Sequence, residues 1–390
     1  MESIIVNLKD EDLAFKEEID RIILNEVAPH VDEVEQGKMD IWDVIRPLGK
    51  HGLIGVSYPK EFGGRGGNAT QELLMTEALC YQSYPMDMSR GASTYPAWLI
   101  RAFGKTKLLR KYIDPLVKGE KIGCFCFTEP DAGSDLSRMK TIYEKDEKNE
   151  EFILNGEKRF ITNGSVADTL VVYARNGAFI VQSDWEGFEV IEEYSMMGLH
   201  GLHLGHLKFN NVRIPKENEL FYREPKPSTE GTRKRRTEAI SSMQQFLGPE
   251  RVSMALQAIS VAKRALDEAI RYSRERVQFN RPISEFEGIS FKIAEMATNY
   301  EAGKALVQKA LQNMSDGKLA AMAKLFACTN SFKICDDALQ ILGGIGYTNK
   351  YPVERCLRDI RLSRIGGGTD EIMKYIIQKE IYKQLAGKSS

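Results

Sequence analysis

Long apolar runs, an excess of one charge and paired cysteines are all missing from this 390-residue chain. No window approaches 18 uninterrupted apolar residues, so no membrane-spanning helix is predicted. Lys plus Arg number 54 and Asp plus Glu number 55, and this balance argues against nucleic acid or an anionic membrane as the main partner. Hydrophobic residues make up 42% of the chain and charged residues 28%. That composition is typical of globular proteins and excludes a disordered or fibrous chain.

The six cysteines show neither even spacing nor a CxxC pair, which favours a reduced, intracellular protein. They are Cys80, Cys124, Cys126, Cys328, Cys335 and Cys356. The N-terminal segment carries acids and has no apolar stretch after a basic start, so it does not resemble a targeting peptide. We therefore predict a cytoplasmic protein, and its length predicts two or three domains or one large one.

Three blocks of different periodicity follow one another, and no internal repeat is found. Up to about residue 118 the apolar residues have helical spacing, as in 13–27, 72–81 and 99–113. From about 121 to 215 the period changes to two, and turn pairs such as Asn155-Gly156 separate short strands. After about residue 240, long amphipathic helices return, and one is predicted to begin near Pro249 because proline is favoured in a first helical turn.

The segment 217–238 between the second and third blocks is polar and contains proline, so it is predicted to be a surface insertion or linker. It includes the basic run Arg233-Lys234-Arg235-Arg236. A solvated loop is the default interpretation of this run, and contact with a ligand phosphate is the alternative.

Three of the five histidines, His200, His203 and His206, lie close together and suggest a metal site. Their surroundings alternate like a strand, on which positions three apart point to opposite faces. Convergence of all three on one ion is therefore disfavoured. We predict ordinary strand or loop histidines and no metal.

Residues 64–69 match the GxGxxA form of the dinucleotide-binding fingerprint. They follow the polar stretch 58–61, not a buried strand, and no βαβ pattern surrounds them. The motif is therefore predicted to be a turn.

Two strings carry more specific information. Residues 125–135 read FCFTEPDAGSD and residues 155–164 read NGEKRFITNG. They resemble the TEPxAGSD and NGxKxWITNG signatures of the acyl-CoA dehydrogenase family. Further matches in the same order are Arg276-Val277-Gln278-Phe279, the stretch 340–347, Arg358-Asp359 and the stretch 368–371. Together they extend the resemblance over essentially the whole chain.

The resemblance implies an α+β fold with three domains. An N-terminal α-helical domain would span 1–120, a middle β-barrel-like domain 121–224, and a C-terminal four-helix bundle 225–390. It also implies an FAD-dependent enzyme of fatty acid β-oxidation that converts an acyl-CoA thioester to the 2,3-enoyl-CoA. The flavin N5 would accept the hydride, an electron-transfer flavoprotein would reoxidise the flavin, and the chain would form a homo-oligomer, usually a tetramer.

The resemblance also implies where the cofactor binds. Strings 125–134 and 160–162 would flank the flavin, and Arg276 and Phe279 of one subunit would meet 340–344 of another around the remaining part of FAD. Arginine suits this place because its planar fork pairs with phosphate oxygens. The implied cofactor-binding residues are Phe125, Phe127, Thr128, Gly133, Ser134, Phe160, Ile161, Thr162, Arg276, Phe279, Gln340, Gly343, Gly344, Thr369 and Glu371.

The catalytic base requires a separate argument, because most relatives place a Glu where this chain has Gly367. Glycine cannot accept a proton. A subset similar to the isovaleryl- and long-chain acyl-CoA dehydrogenases carries the Glu on an earlier helix, directly before an Arg, and Glu250-Arg251 stands at that place. Glu250 is thus the implied base, and the structural alternative is an acid stabilised in a first helical turn. Ser134, Arg251, Gly367 and Gly368 are the implied substrate-binding residues.

Three departures from the family pattern are visible. Phe160 replaces the usual Trp and loses its indole donor, Asn280 stands where a Gly often occurs, and Glu287 replaces a common Gln. Two alternative functions remain open: a relative that reduces an enoyl-CoA or uses oxygen, and a non-catalytic member that binds acyl-CoA. The acyl chain is not predictable, because the residues that line such pockets are generic apolar ones.

Overall fold

The computed structural model of the protein describes residues 3–222 and 231–386, without the side chains of 231–246 and 386. Its first block is helical. The helices are α1 (Asp10–Glu26), α2 (Val31–Glu35), α3 (Ile41–Ile45), α4 (Ala69–Gln82), α5 (Tyr84–Phe103) and α6 (Thr106–Lys118). Helix α1 buries Phe15, Ile19, Ile22 and Ile23 along one face, as the helical period requires.

Two of the three helices predicted in this block are confirmed, and the third is wrong in its extent. Segment 13–27 corresponds to α1 and segment 72–81 to α4. Segment 99–113 is not continuous, because Gly104 is extended and separates α5 from α6. Residues 64–68 form a loop and Ala69 begins α4, where Asn68 Oδ1 accepts a hydrogen bond of 2.9 Å from Gln71 N.

The middle block consists of two four-stranded sheets. The strands are β1 (Gly123–Cys126), β2 (Ile142–Asp146), β3 (Glu151–Thr162), β4 (Thr169–Ala174), β5 (Gly177–Gln182), β6 (Phe188–Glu193), β7 (Leu204–Pro215) and β8 (Glu219–Tyr222). One sheet has the order β1-β4-β5-β8 and the other β2-β3-β7-β6. Strand β1 pairs with β4 in parallel. Every residue of β4 is buried, so this strand lies in the core of the sheet domain.

The last block is helical again. It contains α7 (Gly231–Glu275), the short paired strands β9 (Val277–Gln278) and β10 (Arg281–Pro282), and the helices α8 (Glu287–Leu311), α9 (Gly317–Leu342), α10 (Val353–Ile360) and α11 (Asp370–Ala386). Helices α7, α8, α9 and α11 form the bundle. Buried alanines line α7 and α9, and small side chains let the helix backbones approach closely. The predicted order of a helical, a sheet and a second helical domain is confirmed, whereas the boundaries at 120 and 224 stay predictions.

The prediction that a helix begins near Pro249 is wrong, because Pro249 lies inside α7. A proline removes one backbone hydrogen bond and bends a helix. Helix α7 packs along both α8 and α9, and this long packing stabilises the helix through the proline.

The prediction of an insertion over 217–238 is wrong at its start. Residues Lys216–Asn218 form a 3-10 turn, and β8 then pairs with β5. Residues 223–230 lie outside the described residues, as do the side chains of the basic run Arg233-Lys234-Arg235-Arg236.

The clustered histidines lie in the loop before β7 and in β7 itself, as predicted. His200 contacts Glu35 at 3.0 Å, His203 contacts Glu193 at 3.0 Å and Asp40 at 2.8 Å, and His206 contacts Glu157 at 3.3 Å. Over the described ranges, no group of three His, Cys, Asp or Glu side chains is arranged to hold a metal ion. In the same ranges no helix is long and apolar enough to cross a bilayer.

Candidate active site

Glu250 is half-buried in the interior of α7, far from the first turn of that helix. The helix-dipole explanation for an acid at this position therefore does not apply. Burial raises the pKa of the Glu250 carboxyl, and the positive charges of Arg251 and Lys324 oppose this rise only in part. A carboxylate with a raised pKa accepts a proton more readily than an exposed one.

Gly367 lies against the same face of α7. A Cβ at Gly367 would collide with Sδ of Met254, and Met254 is one helical turn after Glu250, so the two side chains share a face. The φ of Gly367 is +59°, a region that favours glycine. A glutamate at position 367 would therefore require Met254 to move and a non-glycine residue to adopt a strained φ, while Glu250 projects from the helix beside this loop.

Lys324 on α9 holds that loop in place. Its Nζ donates hydrogen bonds to the carbonyl oxygens of Ser363 at 2.9 Å and Gly368 at 2.7 Å. Burial lowers the pKa of Lys324, and the two carbonyl acceptors solvate the ammonium group. Sequence reasoning missed this residue, although a single lysine within the alanine-rich stretch 320–327 was a visible signal.

Arg251 is only 4% exposed. Its Nε has no hydrogen-bond partner within the described part of the chain, and burial lowers its pKa although the charge of Glu250 opposes this. A buried N–H group without an acceptor is costly. It is therefore available to an acceptor that a ligand supplies.

The TEP string forms the loop after β1, and a buried ion pair ties it to β3. Lys158 Nζ lies 2.7 Å from Glu129 Oε1 and donates a second hydrogen bond of 3.0 Å to the carbonyl oxygen of Phe127. Glu129 also accepts from the backbone of Lys140 and Thr141. Although burial alone would raise its pKa, Lys158 and these donors hold the pKa of Glu129 below its usual range. The two motif strings thus form one rigid unit.

The ITNG string ends β3 at a bulge. Phe160 has a φ of +56° and is 55% exposed, and its ring packs 5.1 Å from that of Tyr194. The Ile161 side chain lies in the hydrophobic core, so only its backbone can reach a ligand. Thr162 is half-buried. Asn163, which sequence reasoning did not select, bonds Ser89 Oγ at 2.8 Å and the carbonyl oxygen of Gly123 at 3.1 Å.

The two groups of implied FAD residues end different helices. Arg276 and Phe279 follow α7, whereas Gln340 lies in the last turn of α9 and Gly343 and Gly344 follow it. All five are exposed. Asn280, in the place of a family glycine, has a φ of +66°, which asparagine tolerates better than most residues. The turn that glycine would provide is therefore kept.

The glycines of these loops test whether FAD fits. A Cβ at Gly133, Gly343 or Gly344 would meet no atom within 4 Å, so packing within the chain does not require glycine there. Glycines that face open space let a dinucleotide approach the backbone closely, and the exposed Arg276 can pair with its phosphates. The donor set is compatible with FAD.

The remaining implied residues have identified places. Ser134 is exposed in the loop after β1, and Gly367 and Gly368 precede α11. Thr369 Oγ1 accepts from Ile372 N at 3.4 Å at the start of α11. A hydrogen bond from its own backbone, with another from Thr369, lowers the pKa of Glu371. Glu287 is exposed in the first turn of α8, where the helix dipole stabilises an acid.

Comparison with known proteins agrees with the family resemblance of the motif strings. Models of the N-terminal, middle and C-terminal domains of acyl-CoA dehydrogenase match residues 9–120, 124–212 and 240–382. The chain is 36% identical over 371 residues to an acyl-CoA dehydrogenase of Bacillus subtilis, covering 91% of this chain and 93% of that protein. It is 32% identical to an acryloyl-CoA reductase (NADH) of Anaerotignum propionicum, covering 92% and 91%.

A solved structure shows the same fold. Butyryl-CoA dehydrogenase from Megasphaera elsdenii is 31% identical and has a TM-score of 0.84, covering 98% of this chain and 100% of that one. The chain therefore belongs to the acyl-CoA dehydrogenase family, is an enzyme, and uses the FAD cofactor of that family.

Proposed function

We propose that this enzyme dehydrogenates an acyl-CoA thioester between its α and β carbons, with Glu250 as the base that removes the α-proton. The environment of Glu250 carries the proposal, because this half-buried carboxylate has a raised pKa and lies beside the loop at Gly367, where Met254 occupies the place of a side chain. A base for a weakly acidic α-proton needs such a raised pKa. FAD, when bound, accepts the hydride that leaves the β-carbon.

Residues of the chain contribute to the rest of the chemistry. The Gly367 N–H has no acceptor in the part of the chain that the structure describes, so it can donate to the thioester carbonyl as negative charge develops there. Lys324 fixes this loop through two carbonyl oxygens. Arg251 supplies positive charge close to Glu250, which stabilises the carboxylate before proton transfer. An acyl chain bound over the half-buried Glu250 would exclude water while the proton moves.

The experiment is an anaerobic titration of the purified flavoprotein with saturated acyl-CoAs while the flavin absorbance is recorded. We expect bleaching by the wild type and a loss of about 10²–10⁴-fold in rate in Glu250→Gln, which is the usual contribution of a general base. Glu275→Gln, on the same helix but exposed, is the matched control and keeps the wild-type rate. A Glu250→Gln variant that bleaches at the control rate would rule out Glu250 as the base.

The reverse reaction is the second candidate. One relative carries the name acryloyl-CoA reductase (NADH), and the same base can return a proton to the α-carbon. Comparing the rate of enoyl-CoA reduction with that of acyl-CoA oxidation in the same preparation separates the two directions. Electron-transfer flavoprotein is the proposed acceptor for the forward direction, which would place the enzyme in β-oxidation.

We also propose a homo-oligomer, with a tetramer as the expected state. Phe279, Phe291 and Tyr347 expose 87%, 63% and 84% of their surface in the single chain. Exposed large aromatic side chains are typical of surfaces that a partner covers. Sedimentation analysis of the wild type and of Phe279→Ser tests this, because burial at an interface predicts dissociation of the variant.

A further inference from the structure

Lys324 on α9 is a buried ammonium group that no carboxylate pairs with in the described part of the chain. Its side chain is fully buried, and Nζ donates to two backbone acceptors, the carbonyl oxygens of Ser363 at 2.9 Å and Gly368 at 2.7 Å. An ammonium group has three protons to donate, so these two acceptors do not satisfy it. A buried charge without a counter-charge is costly. Such a group beside a proposed base is therefore a candidate for a functional role.

The two carbonyls lie on either side of Gly367 in the sequence, so Lys324 bridges the loop 363–368. A Cβ at Gly367 would lie 3.5 Å from Lys324 Cε, which places the lysine stem directly against this glycine. A second bond closes the loop at its ends, since Arg364 Nε lies 2.8 Å from Asp370 Oδ2. The loop is therefore held at both of its ends and from α9.

The backbone hydrogen bonds of this loop leave the Gly367 N–H free to donate. Ile365 N and Gly366 N both donate to the carbonyl oxygen of Leu362, at 2.7 and 2.9 Å. Gly367 is the next residue, and its N–H has no acceptor among the residues that the structure describes. Lys324 therefore fixes a loop that carries an available backbone donor, and it places a positive charge against the same glycine.

We propose that Lys324 is a positioning residue that stabilises the enolate formed at the thioester when Glu250 removes the α-proton. This rests on the proposed function. The two carbonyl bonds of Lys324 keep the Gly367 N–H in place for the developing oxyanion, and the ammonium charge favours negative charge on a ligand at that loop. Electrostatic stabilisation of this kind is large when the groups are fixed before the reaction and water is excluded.

Lys324 neither gives nor takes a proton in this step. The α-proton passes to the Glu250 carboxylate, and the electron pair of the broken C–H bond is delocalised onto the thioester oxygen. Burial lowers the pKa of Lys324, and so does the positive charge of Arg251 on α7. Cys328 on α9, Asp370 on α11 and Glu250 raise it. The two carbonyl acceptors also favour the ammonium form, because a charged donor makes the stronger hydrogen bond.

The test measures enolate formation separately from hydride transfer. 3-Oxobutanoyl-CoA has no hydrogen on its β-carbon to lose as hydride, and its enolate absorbs at longer wavelength than its keto form. Holoenzyme carrying Glu250→Gln is saturated with this ligand and titrated with base, so that ionisation of Glu250 does not contribute. We expect the enolate midpoint, the pH at which half of the ligand is enolate, to be lower for bound than for free ligand. Adding Lys324→Met should raise the midpoint by about 1–2 pH units, a 10- to 100-fold loss of enolate stabilisation.

Turnover gives a second readout. With butanoyl-CoA, Lys324→Met alone should lower the rate constant of flavin bleaching by about 10- to 100-fold with little change in KM, somewhat less than the loss of an oxyanion donor itself. Lys324→Gln keeps an N–H donor for the loop but carries no charge, so it should lie between Lys324→Met and the wild type in both assays. Lys333→Met, which changes an exposed lysine on the same helix, is the matched control and should match the wild type.

An enolate midpoint that Lys324→Met leaves unchanged overturns the inference, because a purely structural lysine would alter stability without moving this midpoint. A midpoint no lower for bound than for free ligand overturns it as well. If Lys324→Met does not fold, the comparison is made with Lys324→Gln, for which an unchanged midpoint has the same meaning. If no saturated acyl-CoA bleaches the wild-type flavin, the proposed function fails, whereas the enolate titration still decides the role of Lys324.

Discussion

Met254 fills the space that a side chain at Gly367 would need, and Glu250 lies one turn before Met254 on the same helix. Met254 therefore links the two positions: it packs against Gly367, which has no side chain, and it lies on the same face of α7 as the Glu250 carboxylate. A glutamate in the loop would require Met254 to be smaller or to move, and would also have to adopt a φ of +59°. The position of the base therefore depends on the packing of Met254 against Gly367 as well as on which residue carries the carboxylate.

Exchanging the base from the helix to the loop should require one compensating change, at Met254. The variant Glu250→Gly/Gly367→Glu is expected to be inactive, since the new side chain collides with Met254. Adding Met254→Ala should restore at least tenfold of the lost rate of flavin bleaching by an acyl-CoA. The matched control is Glu250→Gly/Met254→Ala, which creates the space without the base. Equal rates in the triple variant and this control would contradict the packing argument.

The pH dependence of the reaction should follow the ionisation of Glu250. Its carboxylate form is the active base, so kcat/KM should rise with pH through a pKa above the ordinary value of a glutamate, because burial raises it. Arg251→Met removes a charge that lowers this pKa, and the midpoint should move to higher pH. Arg271→Met changes an exposed arginine on the same helix and should leave the midpoint in place.

Removing one member of the buried pair between the two motif strings should destabilise the sheet domain. Lys158→Met leaves the Glu129 carboxylate without its charged partner, and the expected loss is about 3–5 kcal/mol in the free energy of unfolding. The double variant Lys158→Met/Glu129→Gln should lose less than the sum of the single variants. Urea denaturation measures all three. Additive losses would show that the two groups do not interact.

Local pattern predicted the elements whose character is set by their own residues. Helices α1 and α4 follow from a helical period, and the strands follow from a period of two. Local sequence pattern gave wrong bounds where contacts with residues distant in the sequence determine the secondary structure. Pro249 marks a helix start by its own preference, yet packing against α8 and α9 carries α7 through it. The sequence prediction groups residues 219–222 with the polar segment that follows them, but Leu220, Phe221 and Tyr222 suit a strand and pairing with β5 makes them one.

For the site, sequence analysis predicted the residues within the motif strings and missed residues outside them. The motif strings contain the glycines and aromatic residues that face open space, because family signatures record residues of that kind. Lys324 belongs to no quoted string, and its importance depends on the fold, which brings α9 to the loop around Gly367. Complementarity between Met254 and Gly367 likewise joins positions more than 100 residues apart. No single-segment pattern contains such information.

Asp359 should make the stability of the protein depend on pH. It is buried in α10, where Oδ1 accepts a hydrogen bond of 2.5 Å from Leu199 N. Burial, chiefly, raises its pKa to about 7; the negative charge of Glu35 adds to this, whereas the Leu199 donor, Arg355 and Arg358 oppose it. An acid with a raised pKa in the folded state favours folding while it is protonated. Its contribution is therefore complete below about pH 4 and is lost as the pH rises to about 7.

The variant Asp359→Asn should remove this dependence, because asparagine keeps an oxygen acceptor for Leu199 N without a charge. Relative to the wild type, its free energy of unfolding should increase by roughly 1–4 kcal/mol at pH 8 and change little at pH 4. Denaturation curves recorded at several pH values measure the difference. Asp336→Asn, an exposed aspartate on α9, is the control and should follow the wild type at every pH. A parallel pair of stability profiles for Asp359→Asn and the wild type would mean that Asp359 stays ionised in the folded protein, with Arg355 and Arg358 outweighing its burial.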